Sequence, residues 1–110
     1  MNKVFLMGHA GGDPKLRYAE KRPIASFSLA TNEPARRLDN GAEVPERTEW
    51  HNIVLTDQLA EFAERYVRKG SRLLLEGTLR TRYWQDNNAI KRAVTEIYVT
   101  HLEILSGPKA

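Results

Sequence analysis

The apolar residues of this sequence follow the period of a helix in one segment, and that segment limits the folds the chain can adopt. Between Thr56 and Gly70 they recur at the i, i+3, i+4, i+7 and i+8 spacing of one helix face. The members of this stripe are Leu59, Phe62, Ala63, Tyr66 and Val67. Thr56 or Asp57 can supply the N-cap, and Gly70 stands where a left-handed C-terminal residue is expected. The sequence therefore predicts one amphipathic helix.

The remaining apolar segments are typical of β-strands. Alternation is clearest in 23–32, where Ala25, Phe27 and Leu29 share one face. The predicted strands are 3–8, 23–32 and 48–55 before the helix, and 71–84 and 91–105 after it. Between the strands the sequence predicts a mobile extended loop over 33–47 and a turn at 86–88. Within the strand 71–84, Gly77 marks a bulge or a sharp bend.

This order of elements predicts an all-β fold. Five strands with one helix between strands 3 and 4 is the order of the OB-fold, a five-stranded Greek-key barrel that binds oligonucleotides or oligosaccharides. With 110 residues the chain is long enough for one such domain. We expect residues 1–105 to form the barrel and residues 106–110 to form a short C-terminal tail.

Composition excludes several classes of function. The absence of cysteine excludes disulfides and thiolate metal sites, and the net charge of +3 favours an anionic partner. His9, His51 and His101 lack the spacing of zinc ligands, and no nucleophile or phosphate-loop motif is present. No apolar stretch is long enough to be a signal peptide or to span a bilayer. We therefore expect a cytoplasmic binding protein that is not an enzyme and needs no cofactor or metal.

The predicted hairpin 79–93 carries the clearest functional signal. Arg80, Arg82 and Trp84 are two residues apart, so an extended strand places them on one face. Two guanidinium groups beside a large ring, with no apolar neighbour on that face, indicate a site for a flat anionic ligand such as a nucleic acid. Apart from Asp86, all charged residues of this hairpin are basic. Further basic candidates flank the hairpin turn or lie in the long loop; they are Lys91, Arg92, Arg36 and Arg37.

The strand 48–55 supplies a second aromatic candidate. Its alternation separates a face with His51, Ile53 and Leu55 from a face with Trp50. If the Ile53 face is core, Trp50 points outward and can stack on a base, whereas His51 is a buried or interfacial hydrogen-bonding residue.

Several blocks of the sequence, in order and with matching spacing, resemble the bacterial single-stranded-DNA-binding protein family. They are MNKVFLMG, FSLATNE, TEWHNIVL, LAEFAERYVRKGS, EGTLRTRYW and TEIYVTHLEIL. The resemblance implies an OB-fold homotetramer that binds and protects single-stranded DNA, without sequence preference, in replication, recombination and repair. It also implies DNA-stacking roles for Trp50 and Trp84, and a subunit-interface role for His51. Implied backbone-contacting cations are Arg80, Arg82, Lys69 and Lys3.

The chain departs from the family pattern in three places. Thr56 stands where family members commonly have Phe, and Ala35 stands where an aromatic is frequent. Tyr83, Arg36 and Arg37 are the candidates to substitute for these rings by stacking or charge. We expect Trp84→Ala to cost more affinity than Trp50→Ala, because Trp84 lies on the more exposed arm. The third departure is 107–110, which has no acidic tip; the chain is either truncated or tail-less, so recruitment of replication and repair enzymes through such a tip is not expected of it.

Three other readings fit parts of the sequence. A primosomal OB-fold adaptor would bind single-stranded DNA as a dimer. An OB-fold oligosaccharide-binding or catalytic module would need carboxylates in the binding face, where the hairpin offers only Asp86. RNA is also compatible, because backbone charge and base stacking do not by themselves read the 2′-hydroxyl group.

Overall fold

The computed structural model describes residues 1–108, within which the chain forms eight strands and one helix. Their bounds are β1 Val4–Ala10, β2 Lys15–Ala19, β3 Arg22–Glu33, β4 Arg36–Arg37, β5 Glu43–Val44, β6 Arg47–Thr56, α1 Asp57–Tyr66, β7 Arg72–Gln85 and β8 Lys91–Ser106. The five long strands β1, β3, β6, β7 and β8 correspond to the five predicted strands. The helix lies between the third and the fourth of them, as predicted.

Six strands form one sheet that closes on itself. Its order is β1-β7-β8-β6-β3-β2, and an additional pairing of β1 with β3 completes the ring. All neighbours are antiparallel except β6 and β8, which run parallel. The predicted OB-fold barrel is confirmed. Gly77 is also confirmed as a bulge, because the register between β7 and β8 shifts between Glu76 and Gly77.

The barrel interior is filled by alternate residues of its long strands. The largest fully buried aliphatic side chains are Leu29, Ile53, Leu55, Leu73 and Leu75. Ala25 and Phe27 are buried on the same face of β3 as Leu29, as their alternation predicted. The hydrophobic effect thus fixes which face of each strand points outward.

The helix buries only part of the predicted stripe, together with Ala60. Ala60, Ala63 and Val67 are fully buried, whereas Phe62 and Tyr66 remain partly exposed and pack on each other with ring centroids 4.9 Å apart. Small side chains face the barrel because they allow the helix to approach the strands closely, and the rings are displaced to the rim.

The predicted N-terminus of the helix is confirmed, whereas its C-terminus needs correction. Thr56 is the N-cap residue, although its side chain makes no capping hydrogen bond, and the carboxylate of Asp57 binds Arg22. The C-cap is Val67 in an extended conformation. Gly70 has a positive φ of 89° but belongs to the turn that follows the helix.

Two segments outside the predicted strands contain strands. Residues 15–19, for which the sequence predicted no element, form β2, which pairs antiparallel with β3. The predicted mobile loop 33–47 contains the β4–β5 hairpin, in which Arg36 pairs with Val44 and Arg37 with Glu43. This hairpin turns at Gly41, whose φ of 86° suits a residue without Cβ.

The last strand ends one residue later than predicted. Strand β8 continues through Ser106, the first residue of the predicted tail. Residues 109–110 of that tail lie outside the described residues. No helix within 1–108 is long and apolar enough to cross a membrane.

Candidate nucleic-acid interface

The strand register places the candidate side chains on one surface. Residues directly opposite each other in neighbouring strands point to the same side of a sheet. The outward sides of β6, β8 and β7 form one continuous surface. Asn52 of β6 is opposite Glu96 of β8, and Glu96 is in turn opposite Arg80 of β7. We call this surface the outer face; its members used below are Lys15, Arg17, Ile24, Ser26, Ser28, Trp50, Asn52, Val54, Thr56, Arg80, Arg82, Trp84, Arg92, Val94, Glu96 and Tyr98.

Trp50 lies on the rigid part of the outer face. Its strand is paired along its full length with β3, where Trp50 is opposite Ala30. The indole packs on Gly11, since a Cβ atom built on that glycine would be only 2.6 Å from Cζ3 of the ring. The residue nevertheless remains 59% exposed. As predicted, Trp50 points outward, with ring surface available to a ligand.

Trp84 lies on the arm formed by the ends of β7 and β8. It is opposite Arg92, and the Cζ atom of Arg82 is 5.7 Å from its ring centroid. Trp84 is 45% exposed, less than Trp50, because Arg82 lies over its ring. The arm itself is exposed, as expected, although the ring of Trp84 is less exposed than that of Trp50. The expected order of affinity losses, with Trp84→Ala costing more than Trp50→Ala, stays a prediction.

The charge on the outer face is less one-sided than predicted. Glu96 is only 12% exposed and binds Arg82 through two hydrogen bonds, of 2.7 Å from Nε and 3.3 Å from Nη2. Hydrogen bonding to Glu96 and its charge raise the pKa of Arg82 above its ordinary value. Glu96 is a partner from β8 that lies outside the hairpin residues used for the prediction.

Three other candidate cations also form ion pairs. Arg92 binds Asp86 at 3.0 Å, Arg37 binds Glu43 at 2.9 Å and Lys3 binds Glu76 at 2.8 Å; these pairs are all at least partly exposed. Backbone N–H groups in the hairpin turn, led by that of Ile90, lower the pKa of Asp86, and Arg92 adds to the effect. By contrast, no carboxylate within residues 1–108 forms an ion pair with four other candidates, which are Arg36, Lys69, Arg80 and Lys91.

Several predicted residues lie away from the outer face. Tyr83 alternates to the opposite side of the arm from Trp84 and is highly exposed. Lys3 precedes β1. Lys69 follows the helix, where its backbone N–H donates to Asp13 at 2.8 Å. Arg36 and Arg37 lie in the β4–β5 hairpin, which extends from the ends of β3 and β6. The structure thus places Arg80 and Arg82 on the same face as the two tryptophans, and these other residues on other sides or other elements of the fold.

Besides Glu96, sequence reasoning missed Lys15, Arg17 and Tyr98 on the outer face. Lys15 and Arg17 lie on β2 opposite Ser26 and Ile24, and Lys15 lines a depression of about 360 Å³ together with Glu96. The alternation of Lys15 and Arg17 with Leu16 was the signal that could have identified this strand. Tyr98 was missed as well; the Cζ atom of Arg80 lies over its ring, 4.4 Å from the centroid.

His51 is half-buried and bound to a neighbouring strand. Its Nε2 atom is 2.9 Å from Oγ1 of Thr31. The same residues border a depression of about 450 Å³ that includes the exposed side chains of Phe5 and Met7. No group of three or more His, Cys, Asp or Glu residues that could hold a metal ion occurs in the part of the chain that the structure describes.

Comparisons with known proteins identify the relatives of this chain. A model described as "Single-strand binding protein family" matches residues 1–105. A single-stranded DNA-binding protein of Bacteroides thetaiotaomicron is 47% identical over 107 residues, which are 96% of this chain and 66% of that protein. A solved structure titled "Plasmodium falciparum SSB complex with ssDNA" matches with a TM-score of 0.86 and 35% identity, covering 96% of each chain. The chain spans about two thirds of the length of the bacterial relative.

Proposed function

Because the chain belongs to the single-strand binding protein family, we propose that it binds single-stranded DNA on the outer face without sequence preference. In this role it protects single strands during replication, recombination and repair. It acts by binding rather than by catalysis.

The observation that carries the proposal is the shared orientation of Trp50 and Trp84. Two partly exposed indoles on one continuous sheet surface are available to stack on bases, and stacking is worth ~1–3 kcal/mol per base whatever the base. Arg80 lies on the same surface and has no carboxylate partner within residues 1–108. Bases and phosphates of one strand therefore both find partners there.

The cations fall into two groups under this proposal. Those without a carboxylate partner in the described residues can take phosphates directly; they are Arg80, Lys15, Arg17, Arg36, Lys69 and Lys91. Those in ion pairs must exchange a carboxylate for a phosphate; they are Arg82, Arg92, Arg37 and Lys3. Tyr83 contributes a ring only if the strand also passes the far side of the arm.

Titration with oligo-dT tests the proposal. Tryptophan emission should be quenched as bases stack, and the affinity should fall with salt, with a slope of roughly −0.7 per phosphate contact. Unchanged emission together with salt-independent binding would contradict it. An oligo-U arm of the same length separates DNA from RNA, and an oligosaccharide arm tests the other ligand of the fold.

A homotetramer is part of the same proposal, with His51 at a subunit interface. Phe5 and Met7 support it, because they are exposed on β1 beside the His51 depression and an apolar patch of this kind favours association. Light scattering should give four times the mass of one chain. A stable dimer would instead favour the primosomal adaptor.

A bacterial cytoplasmic location with the nucleoid follows from the proposed ligand. Recruitment of other enzymes through an acidic tip is not part of the proposal for these 110 residues.

A further inference from the structure

Both tryptophans lie toward one end of the outer face. On β6, Trp50 is followed on the same side by Asn52, Val54 and Thr56, which carry no rings. Four residues of strand separate Trp50 from Val54, a distance of roughly 13 Å. Trp84 lies on the arm, farther still from Val54. A strand of DNA that crosses the whole face therefore passes over an end without tryptophan.

A different aromatic pair occupies that end. Tyr98 on β8 is opposite Val54, and Arg80 lies over its ring with Cζ 4.4 Å from the centroid. Arg80 is exposed and Tyr98 is half-buried, so the guanidinium group forms the outer layer of the pair. Such cation–π contacts hold a guanidinium group flat against a ring.

Arg80 differs from its neighbour Arg82 in what its N–H groups bind. Arg82 is held by Glu96 through two hydrogen bonds. Arg80 forms no ion pair with any residue in 1–108, so its donors are available to an anion. The plane of a guanidinium group also stacks on aromatic surfaces, which allows one side chain to bind a base and a phosphate together.

The surroundings of Tyr98 form a concave surface. Tyr98 borders a depression of about 220 Å³ whose wall includes Val54, Thr56 and Ser26. These side chains are small or medium in size, so the surface beside the Arg80–Tyr98 pair is concave. Arg17 and Arg82 border the same depression. Because Arg82 is held by Glu96, Arg17 is the cation of this wall that forms no ion pair within residues 1–108.

We propose that Arg80 and Tyr98 form a third stacking subsite, which takes one nucleobase of the bound strand on the guanidinium–ring pair while Arg80 and Arg17 contact the flanking phosphates. The inference rests on the proposed function, since the ligand is the same single strand. It assigns binding to the end of the outer face that has no tryptophan.

Substitutions at Tyr98 test the subsite. Tyr98→Val removes the ring but keeps a residue suited to a strand, and should weaken oligo-dT binding about five- to hundredfold. Quenching of tryptophan emission at saturating oligo-dT should persist, because Trp50 and Trp84 are untouched. Tyr98→Phe keeps the ring and should bind within about twofold of the parent. Tyr18→Val is the matched control, because Tyr18 is an exposed strand tyrosine opposite Pro23, off the outer face.

Arg80→Lys provides a second test that does not disturb the half-buried ring. It keeps the charge but removes the planar group, so affinity should fall while the salt slope stays unchanged. Thermal unfolding checks that each variant is folded. If Tyr98→Val does not fold, Arg80→Lys and Tyr98→Phe decide the matter.

The outcomes separate this inference from the proposed function. Parent-like affinity in Tyr98→Val or in Arg80→Lys overturns the subsite, while the proposed function stands if tryptophan quenching remains. Equal losses in Tyr98→Val and Tyr98→Phe overturn it too, because the ring would then not be the group that matters. Absence of any quenching or binding by the unaltered protein overturns both.

Discussion

Replacing Gly11 with alanine should weaken DNA binding by displacing Trp50, without unfolding the barrel. An added Cβ atom would lie 2.6 Å from Cζ3 of the indole and 2.5 Å from Oγ of Ser28. Carbon atoms pack at about 3.5–4.0 Å, so the ring must move by about 1 Å. Trp50 is 59% exposed and can rotate toward solvent without entering the core.

The expected loss follows from the value of one stacking platform. A base on an aromatic ring contributes ~1–3 kcal/mol, and a displaced ring keeps part of that contact. We therefore expect a loss of about 1 kcal/mol, which is about fivefold in affinity. The free energy of unfolding should change by less than about 1 kcal/mol, because the clash is relieved at the surface.

Gly12→Ala is the control for this experiment. An added Cβ atom there has no atom within 4 Å, so the adjacent substitution should leave both properties unchanged. Affinity is measured by the anisotropy of labelled oligo-dT, and stability by urea unfolding. The reasoning is refuted if Gly11→Ala binds like the parent, or if Gly12→Ala weakens binding equally.

Two further predictions concern charge. Glu96→Gln should release Arg82 to a phosphate and steepen the salt dependence of binding by roughly 0.7 in slope. Glu103→Gln, which makes the same charge change farther along β8, should leave the slope unchanged. Equal slopes in the parent and in Glu96→Gln would count against this prediction. The hydrogen bond from Arg22 lowers the pKa of Asp57 below its ordinary value. The stability that this ion pair contributes is therefore present above the ordinary pKa of Asp57, and it is lost as the pH falls through the lowered pKa. Asp57→Asn should therefore be less stable than the parent at neutral pH but not in strong acid. Urea unfolding at both pH values measures this difference. A difference in stability that does not change with pH would contradict the role of the Arg22–Asp57 ion pair.

The long strands could be predicted because each buries a one-sided set of residues. In β3 the alternation of Ala25, Phe27 and Leu29 is visible without knowledge of any partner. Strand β2 escaped prediction because Leu16 is the only one of its residues packed against the buried core. The helix was found by its period, but which of its residues are buried depends on how closely it approaches the barrel.

The candidate site could be predicted only for residues that belong to one strand. The row formed by Arg80, Arg82 and Trp84 follows from strand geometry alone. Their partners Glu96 and Tyr98 come from β8, and the pairing depends on the bulge at Gly77. A one-residue slip in register would turn these two side chains to the opposite face, and the sequence pattern does not determine that register. This is why the neutralisation of Arg82 and the Arg80–Tyr98 pair were missed.

The central claim is that one strand of DNA stacks on the face shared by Trp50 and Trp84. The most direct test is a ¹H–¹⁵N correlation spectrum recorded during titration with oligo-dT. The indole N–H signals are assigned with the single variants Trp50→Phe and Trp84→Phe. The account predicts that both indole signals shift as the complex saturates, whereas the backbone signal of Glu61, on the exposed side of α1, does not. Saturable binding that leaves both indole signals in place would contradict it.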